Sequence, residues 1–342
     1  MRFLLFIAVL IASALPVSAF AAAYDLPYVG DVKKYKAAAK DTLVHIAREH
    51  ALGFVEMRAA NPYVDPWLPG EGTELIMPAR HILPDAPREG IVINLPEMRL
   101  YAFVNGSDAP STFPLGIGRE GLETPIGQTS VVRKAEGPTW RPTPRMRKED
   151  PELPVSVPAG PENPLGTHAL YLGWPTYAIH GTNKPYGIGR RVSSGCIRLY
   201  PENIKELYAM VPTGTMVTVV NQPIKLAWID ERLYLEAHPD MQQAIQMEET
   251  GQVYRARMSN EDLQIILKAA GEFQNKLHWP VIREVMRDRP GYPVMIARKP
   301  GAEMDEPQIE FIKREVKESA AEAVDTDEPK EAKADETSQE PS

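Results

Sequence analysis

The chain has 342 residues, with 38 Lys+Arg against 46 Asp+Glu, 43% hydrophobic and 25% charged. These values belong to a cored globular protein and exclude collagen-like, wholly disordered and polytopic membrane classes. Most of the net charge of −8 lies from Val316 onward, where nine acidic residues face three lysines, so the body is nearly neutral and offers no basic arm to a nucleic acid. At the other end, Met1-Arg2, an apolar run from Phe3 to Leu15 and the small residues Val17-Ser18-Ala19 or Ala19-Phe20-Ala21 read as a secretory signal peptide over residues 1–23. The run is shorter than the ~20 residues of a membrane span, and no Cys stands near the cleavage point, so export without a transmembrane segment or lipid anchor is expected.

Residues 35–78 carry the next organised unit. Asp41-Thr42 is placed to cap a helix with Leu43, Ile46 and Ala47 at helical spacing, a second helix runs from about Phe54 to Ala60, and Asn61-Pro62 breaks it. Gly70-Glu71-Gly72 leads into an extended Thr73 to Met77 stopped by Pro78, giving the order strand, helix, helix, strand. Asp41-Thr42-Leu43, Ile46-Ala47, Ala60-Asn61-Pro62 and Gly72 to Pro78 resemble a LysM module. A small βααβ domain over residues 35–80 is therefore expected, and the resemblance implies a grip on N-acetylglucosamine-containing glycans such as peptidoglycan.

From Gly90 the pattern changes to strands: Ile91 to Leu95, Arg99 to Val104, Thr129 to Arg133, Ala169 to Leu172, Tyr177 to Ile179 and Thr215 to Val220, with turns at Leu95-Pro96-Glu97 and Asn105-Gly106. One helix interrupts them, starting at Pro201, with Ile204, Leu207, Tyr208 and Val211 on one face and a stop before Pro212. Between Glu136 and Asn163 the density of Pro, Gly and charge predicts a long loop, of the length that usually serves as a lid or binding loop. It is expected to cover the site.

The chemistry lies in one window, Tyr177 to Leu199. His180 ends an apolar strand, Cys196 follows Ser193-Ser194-Gly195, and a Gly-rich loop of suitable length joins them. Cys196 is the single cysteine, so it forms no disulfide within the chain, and an exported protein needs a reason to keep it. A thiol nucleophile with an imidazole base is such a reason. Since a free thiol of pKa near 8.5 is about 3% thiolate at pH 7, full deprotonation gains only roughly thirtyfold, or about 2 kcal/mol. Protonating a leaving amine and deprotonating an incoming one are the larger tasks for the histidine.

The window resembles the signature of the L,D-transpeptidases with a YkuD-type catalytic domain, His-Gly followed by Ser-x-Gly-Cys-x-Arg, and within them the periplasmic ErfK/YbiS type. Thr124-Pro125-Ile126-Gly127, Pro138-Thr139-Trp140 and Pro158 to Pro161 extend the match. The resemblance implies a fold that is mostly β with α: a β-rich catalytic domain over residues 90–222 beside the LysM-like domain. It implies Cys196 as nucleophile, His180 as base and the Gly181 carbonyl as the group that orients the imidazole. The N–H groups of Gly195 and Cys196 are the expected oxyanion donors. Arg198, Ser194, Arg191 and Thr182 are candidates for holding substrate, the arginines by a guanidinium fork on a peptide carboxylate. Many relatives carry His where this chain has Ser194. The implied reaction is attack on a stem tetrapeptide at the L-centre of meso-diaminopimelate, release of D-Ala and transfer from a thioester to an amine in the periplasm. The acceptor stays open between a second diaminopimelate, a lysine of an outer-membrane lipoprotein, and water; no cofactor and no metal is called for.

Residues 223–300 read as a partly helical accessory region, with a strand at Leu233 to Glu236, a helix from Ser259 to Phe273 opened by a Ser259/Asp262 capping box, and a helix from Val281 to Met286. Residues 301–342 are acidic, poor in apolar residues and expected to be disordered. Gly116 to Gly121 matches a dinucleotide fingerprint, but Pro125 follows and no helix opens there. His45, His50, His81, His168, His238 and His278 form no metal-binding spacing and are expected at the surface or in the core. A thiol redox sensor lacks its resolving cysteine, and a purely glycan-binding protein leaves the His180/Cys196 pair unexplained.

Overall fold

The computed structural model describes residues 24–104, 109–250 and 255–301. The signal peptide, the Asn105-Gly106 turn and all but the first residue of the acidic tail lie outside the described residues. The fold is β-rich. Its centre is an eight-stranded mixed sheet in the order Ile197–Arg198, Ala178–His180, His168–Leu172, Gly127–Glu136, Met216–Val220, Gly90–Asn94, Arg99–Phe103, Ser111–Pro114. Two neighbours are parallel, Ala178–His180 with Ile197–Arg198 and Met216–Val220 with Gly90–Asn94, and the others are antiparallel. Ile91, Val92 and Ile93 are all buried, as expected of a strand covered on both faces. One face joins Leu170, Ile179, Ile197 and Val217 in the main core, roofed by Ile204 and Leu207 of the Pro201–Met210 helix.

In the N-terminal unit, Val32–Lys36 pairs antiparallel with Glu74–Pro78, and helices Leu43–Glu49 and Phe54–Ala60 lie between them in sequence. Thr42 caps the first helix by accepting the His45 N–H. Asn61 ties the end of the second helix to the strand, donating to Met57 O at 3.0 Å and Ile76 O at 2.9 Å and accepting from Ile76 N–H at 2.8 Å. Leu43, Ile46, Leu52, Met57, Leu75 and Met77 form a small core inside the unit. Val44, Phe54, Val55 and Ala59, on the other helical faces, belong to the core of the large sheet. The apolar interior therefore runs across the boundary that the sequence places near residue 90.

The C-terminal region is a three-stranded antiparallel sheet, Ile224–Ile229, Arg232–Ala237 and Val294–Arg298, covered by helices Asn260–Ala270 and Trp279–Asp288. The Ser259/Asp262 capping box is formed. A further helix, Met241–Glu249, packs elsewhere: its Ala244 and Met247 join the main core. The 136–163 segment is more ordered than a long loop. The preceding strand continues to Glu136, Thr143 caps a helix at Pro144–Glu149, and Trp140 bridges to Val157. Pro at the first helical position is a helix start as well as a loop signal, which is why composition misread it. Among the described residues no helix is long and apolar enough to cross a membrane.

Candidate active site

Strand register brings the chemistry together. Ile179 faces Ile197 and His180 faces Arg198 across a parallel pair, and both isoleucines are fully buried. Side chains alternate along a strand, so His180 and Arg198 share the face opposite the two isoleucines, and Cys196, immediately before Ile197, has its thiol near the Ala178 N–H and in the field of Arg198. The apolar alternation that seats the strands in the core thus also sets His180 beside Arg198.

His180 is buried, and its Nδ1 lies 2.6 Å from the Gly181 carbonyl, which fixes Nδ1 as the protonated nitrogen and leaves Nε2 as the acceptor. Burial first, and then the Arg198 guanidinium, push its pKa down to about 4, against the pull of the Gly181 and Leu165 carbonyls. Cys196 is half-buried, with its thiol directed at the Thr176 carbonyl 3.4 Å away. Burial raises the thiol above its ordinary value, outweighing the Ala178 N–H and Arg198, which favour the thiolate. At neutral pH the resting pair is therefore uncharged.

The Cys196 turn is built by residues around the motif. Gly195 has φ of 105°, and a Cβ there would fall 2.9 Å from the Tyr177 ring, so only glycine fits. Ser193 donates its hydroxyl to Cys196 O at 2.5 Å and accepts Gly195 N–H at 3.1 Å. Thr124, buried, donates to Gly195 O at 2.8 Å. Of the two expected oxyanion amides, Gly195 is thus engaged within the turn. Sequence reasoning passed over Ser193 and Thr176. Ser193 was legible in the Ser-Ser-Gly-Cys run, whereas Thr176, a β-branched residue at φ 70°, gives no sign in the sequence.

The remaining candidates separate. Thr182 is buried, with its hydroxyl oxygen accepting Lys184 N–H at 2.9 Å, so it closes its own loop. Ser194 is half-buried next to the turn. Arg191 lies in the field of Glu248, Glu123 and Asp240. Arg198 has Cys196 as its charge neighbour, and its Nε is buried without a hydrogen-bond partner among the described residues. One further cluster has metal-ligand chemistry: His81, Glu97 and Glu236 bring ligand atoms within 4.8 Å of one another. Lys225 Nζ stands 2.8 Å from Glu97 Oε2 and 2.9 Å from Glu236 Oε1, so an ammonium already supplies the cation there.

A half-buried thiol, a buried neutral imidazole and a guanidinium near adjacent strand ends are the kinds of group that nucleophilic catalysis by a thiol uses. The L,D-transpeptidase catalytic domain of the YkuD family matches residues 88–219. The chain is 48% identical over 202 residues to the probable L,D-transpeptidase YbiS of Escherichia coli K12, covering 57% of this chain and 66% of that protein. It is 48% identical over 198 residues to the probable L,D-transpeptidase ErfK/SrfK of the same strain, covering 56% and 64%. It is 42% identical over 240 residues to the probable L,D-transpeptidase YcfS, also of Escherichia coli K12, covering 66% and 75%. The chain belongs to the L,D-transpeptidase family, and it spans just under two thirds of the length of the first two of these relatives.

Proposed function

We propose that the protein is a periplasmic L,D-transpeptidase that acts on peptidoglycan stem peptides through a thioester on Cys196. The observation that carries this reading is the pairing of His180 with Arg198 on adjacent strands, with the Cys196 thiol beside Ala178 and Arg198, inside the family-matched segment. The Cys196 sulfur attacks the carbonyl of the L-centre of diaminopimelate while His180 Nε2 takes the thiol proton. The bond to D-Ala then breaks, the leaving amine takes that proton, and a thioester remains. An acceptor amine attacks the thioester, gives its proton to His180 and restores the thiol. The Cys196 N–H serves the oxyanion, joined by Gly195 N–H when Ser193 releases it. Arg198, which has no acidic neighbour among the described residues, is assigned to a substrate carboxylate in preference to Arg191. The unit at residues 32–78 is assigned, as a LysM-like module, to hold the glycan.

Acceptors on this reading are a second diaminopimelate, giving a 3-3 cross-link, or a lipoprotein lysine. Muropeptide mass spectrometry of cell walls with and without the protein separates them. Cys196→Ser is expected to abolish either product while the chain still folds, because a hydroxyl is a far weaker nucleophile in a site built for a thiol. Retention of product by the variant would remove Cys196 from the nucleophile's role.

A further inference from the structure

The loop that joins His180 to Cys196 is gripped from outside the catalytic sheet on two sides. On one side stands the first turn of the Phe54–Ala60 helix, whose leading amides have no partner within the helix. Phe54 N–H donates to Ile188 O at 3.4 Å and Val55 N–H to Gly189 O at 3.1 Å. The backbones touch: Gly189 has φ of 76°, and a Cβ on it would lie 2.1 Å from Phe54 N. The next residue, Arg190, lays its guanidinium 3.7 Å from the centre of the Phe54 ring, a cation–π contact across the same junction. On the other side, from the Met241–Glu249 helix, Glu248 Oε1 accepts the Arg191 N–H at 3.2 Å. Its carboxylate lies in the field of both Arg190 and Arg191.

The grip sits one short strand from the nucleophile. Arg191–Ser193 pairs with Ile117–Gly118, and Ser193 in turn holds both Gly195 N–H and Cys196 O. A shift at Arg191 is therefore passed along three bonded residues to the turn that aims the sulfur. Both gripping helices are anchored in the main core, through Phe54 and Val55 on one and Ala244 and Met247 on the other.

We propose that Glu248 is a positioning residue for Cys196, and that it works with the first turn of the Phe54–Ala60 helix as a two-sided clamp on residues 188–191. The clamp makes the N-terminal unit and the Met241–Glu249 helix parts of the active site's geometry. It rests on the transpeptidase reading for its purpose, but its test does not need that reaction, because the single cysteine reports directly on the turn.

The full chain is compared with Glu248→Ala and Glu248→Gln by the rate of iodoacetamide alkylation of Cys196, followed by intact mass across a pH series, alongside thermal melting and acyl-transfer kinetics. Gln keeps an acceptor for Arg191 N–H and is expected to stay within about twofold of wild type in all of them. Ala frees the loop. It is expected to raise the alkylation rate severalfold and lower kcat about tenfold while KM changes less than twofold, since misplacement of a reacting group acts on the chemical step. Arg190→Met, which weakens the other jaw, is expected to raise alkylation in the same direction and keeps the test open if Glu248→Ala does not fold. Wild-type alkylation in a folded Glu248→Ala, or in Arg190→Met where Glu248→Ala does not fold, overturns the clamp. So does a Gln variant that behaves as Ala does. If alkylation responds as stated but wild type transfers no acyl group, the clamp stands and the transpeptidase reading falls.

Discussion

Burial acts on Cys196 and His180 in opposite chemical senses with one electrical result, pushing the thiol up and the imidazole down so that neither is charged at rest. Arg198 does not change this balance, because it favours the thiolate and disfavours the imidazolium by the same field. Thr176 contributes as well, since its carbonyl accepts the S–H and its own backbone is held in the left-handed region. The proton is thus expected to move only as the sulfur–carbon bond forms. Alkylation of Cys196 should keep accelerating through pH 9, with no plateau between about pH 5 and 8 of the kind a preformed thiolate–imidazolium pair gives. A plateau in that window would mean that the ion pair exists in the free protein.

At the level of elements, the 136–163 segment is an excursion closed at its base. The fully buried Asn163 shares its amide among Pro138 O, Val157 O and Pro158 O at 2.6 to 3.1 Å, and Trp140 bridges to Val157. Its helix reaches back to the site side of the molecule, where Glu149 lies 3.7 Å from Arg119, whose N–H donates to Ser193 O. If the excursion shields the thioester, replacing residues 141–156 by a short Gly/Ser link that keeps Trp140, Val157 and Asn163 should raise hydrolysis severalfold relative to transfer, because an amine must outcompete water at about 55 M. Acylation of Cys196 should persist. Loss of acylation with an unchanged product ratio would place the excursion in the donor site or the core instead. The strands and the Pro201–Met210 helix were legible because each carries an apolar period that burial then uses. His180 and Cys196 stood out as candidates because residue type and spacing sit in one window. The Met241–Glu249 helix was not legible, because its buried face carries only two apolar residues, Ala244 and Met247, beside the polar Gln243. Glu248 and Thr176 were not either, since their roles depend on neighbours 57 and 20 residues away.

Across the whole molecule, a buried ionic network fastens the three regions together. Glu56 from the N-terminal unit binds Arg99 of the large sheet at 2.7 Å, and His81 Nδ1 lies 3.4 Å from Glu97. Lys225 of the C-terminal sheet joins Glu97 to Glu236 and donates to Ile82 O at 2.6 Å, while His238 lies 2.8 Å from Glu236. In sequence these are scattered charges that look like surface. In the fold they close a seam, which together with the shared apolar core means that a chain beginning at Gly90 lacks part of its own interior. Burial alone would raise the carboxyls, yet Lys225 holds Glu97 well below, and Glu236 below, the ordinary value of 4.5, while burial holds His81 below 6.5. The signs agree. The unfolded chain protonates His81 first as pH falls below 6.5, and the carboxylates' contribution, complete above 4.5, is lost as pH drops through their depressed folded values, so stability declines with acid in two stages. Removing the cation alone leaves two carboxylates facing each other out of water, a change that costs about 3–5 kcal/mol in comparable buried pairs. Lys225→Met should therefore melt far below wild type at neutral pH and recover part of the difference on mild acidification, as one of the two carboxylates takes up a proton, whereas wild type only loses stability over that range. Melting curves of the full chain at several pH values decide it, and a variant within about 1 kcal/mol of wild type at neutral pH, or one that follows the wild-type acid profile, would show that the seam is held by its apolar contacts and not by its charges.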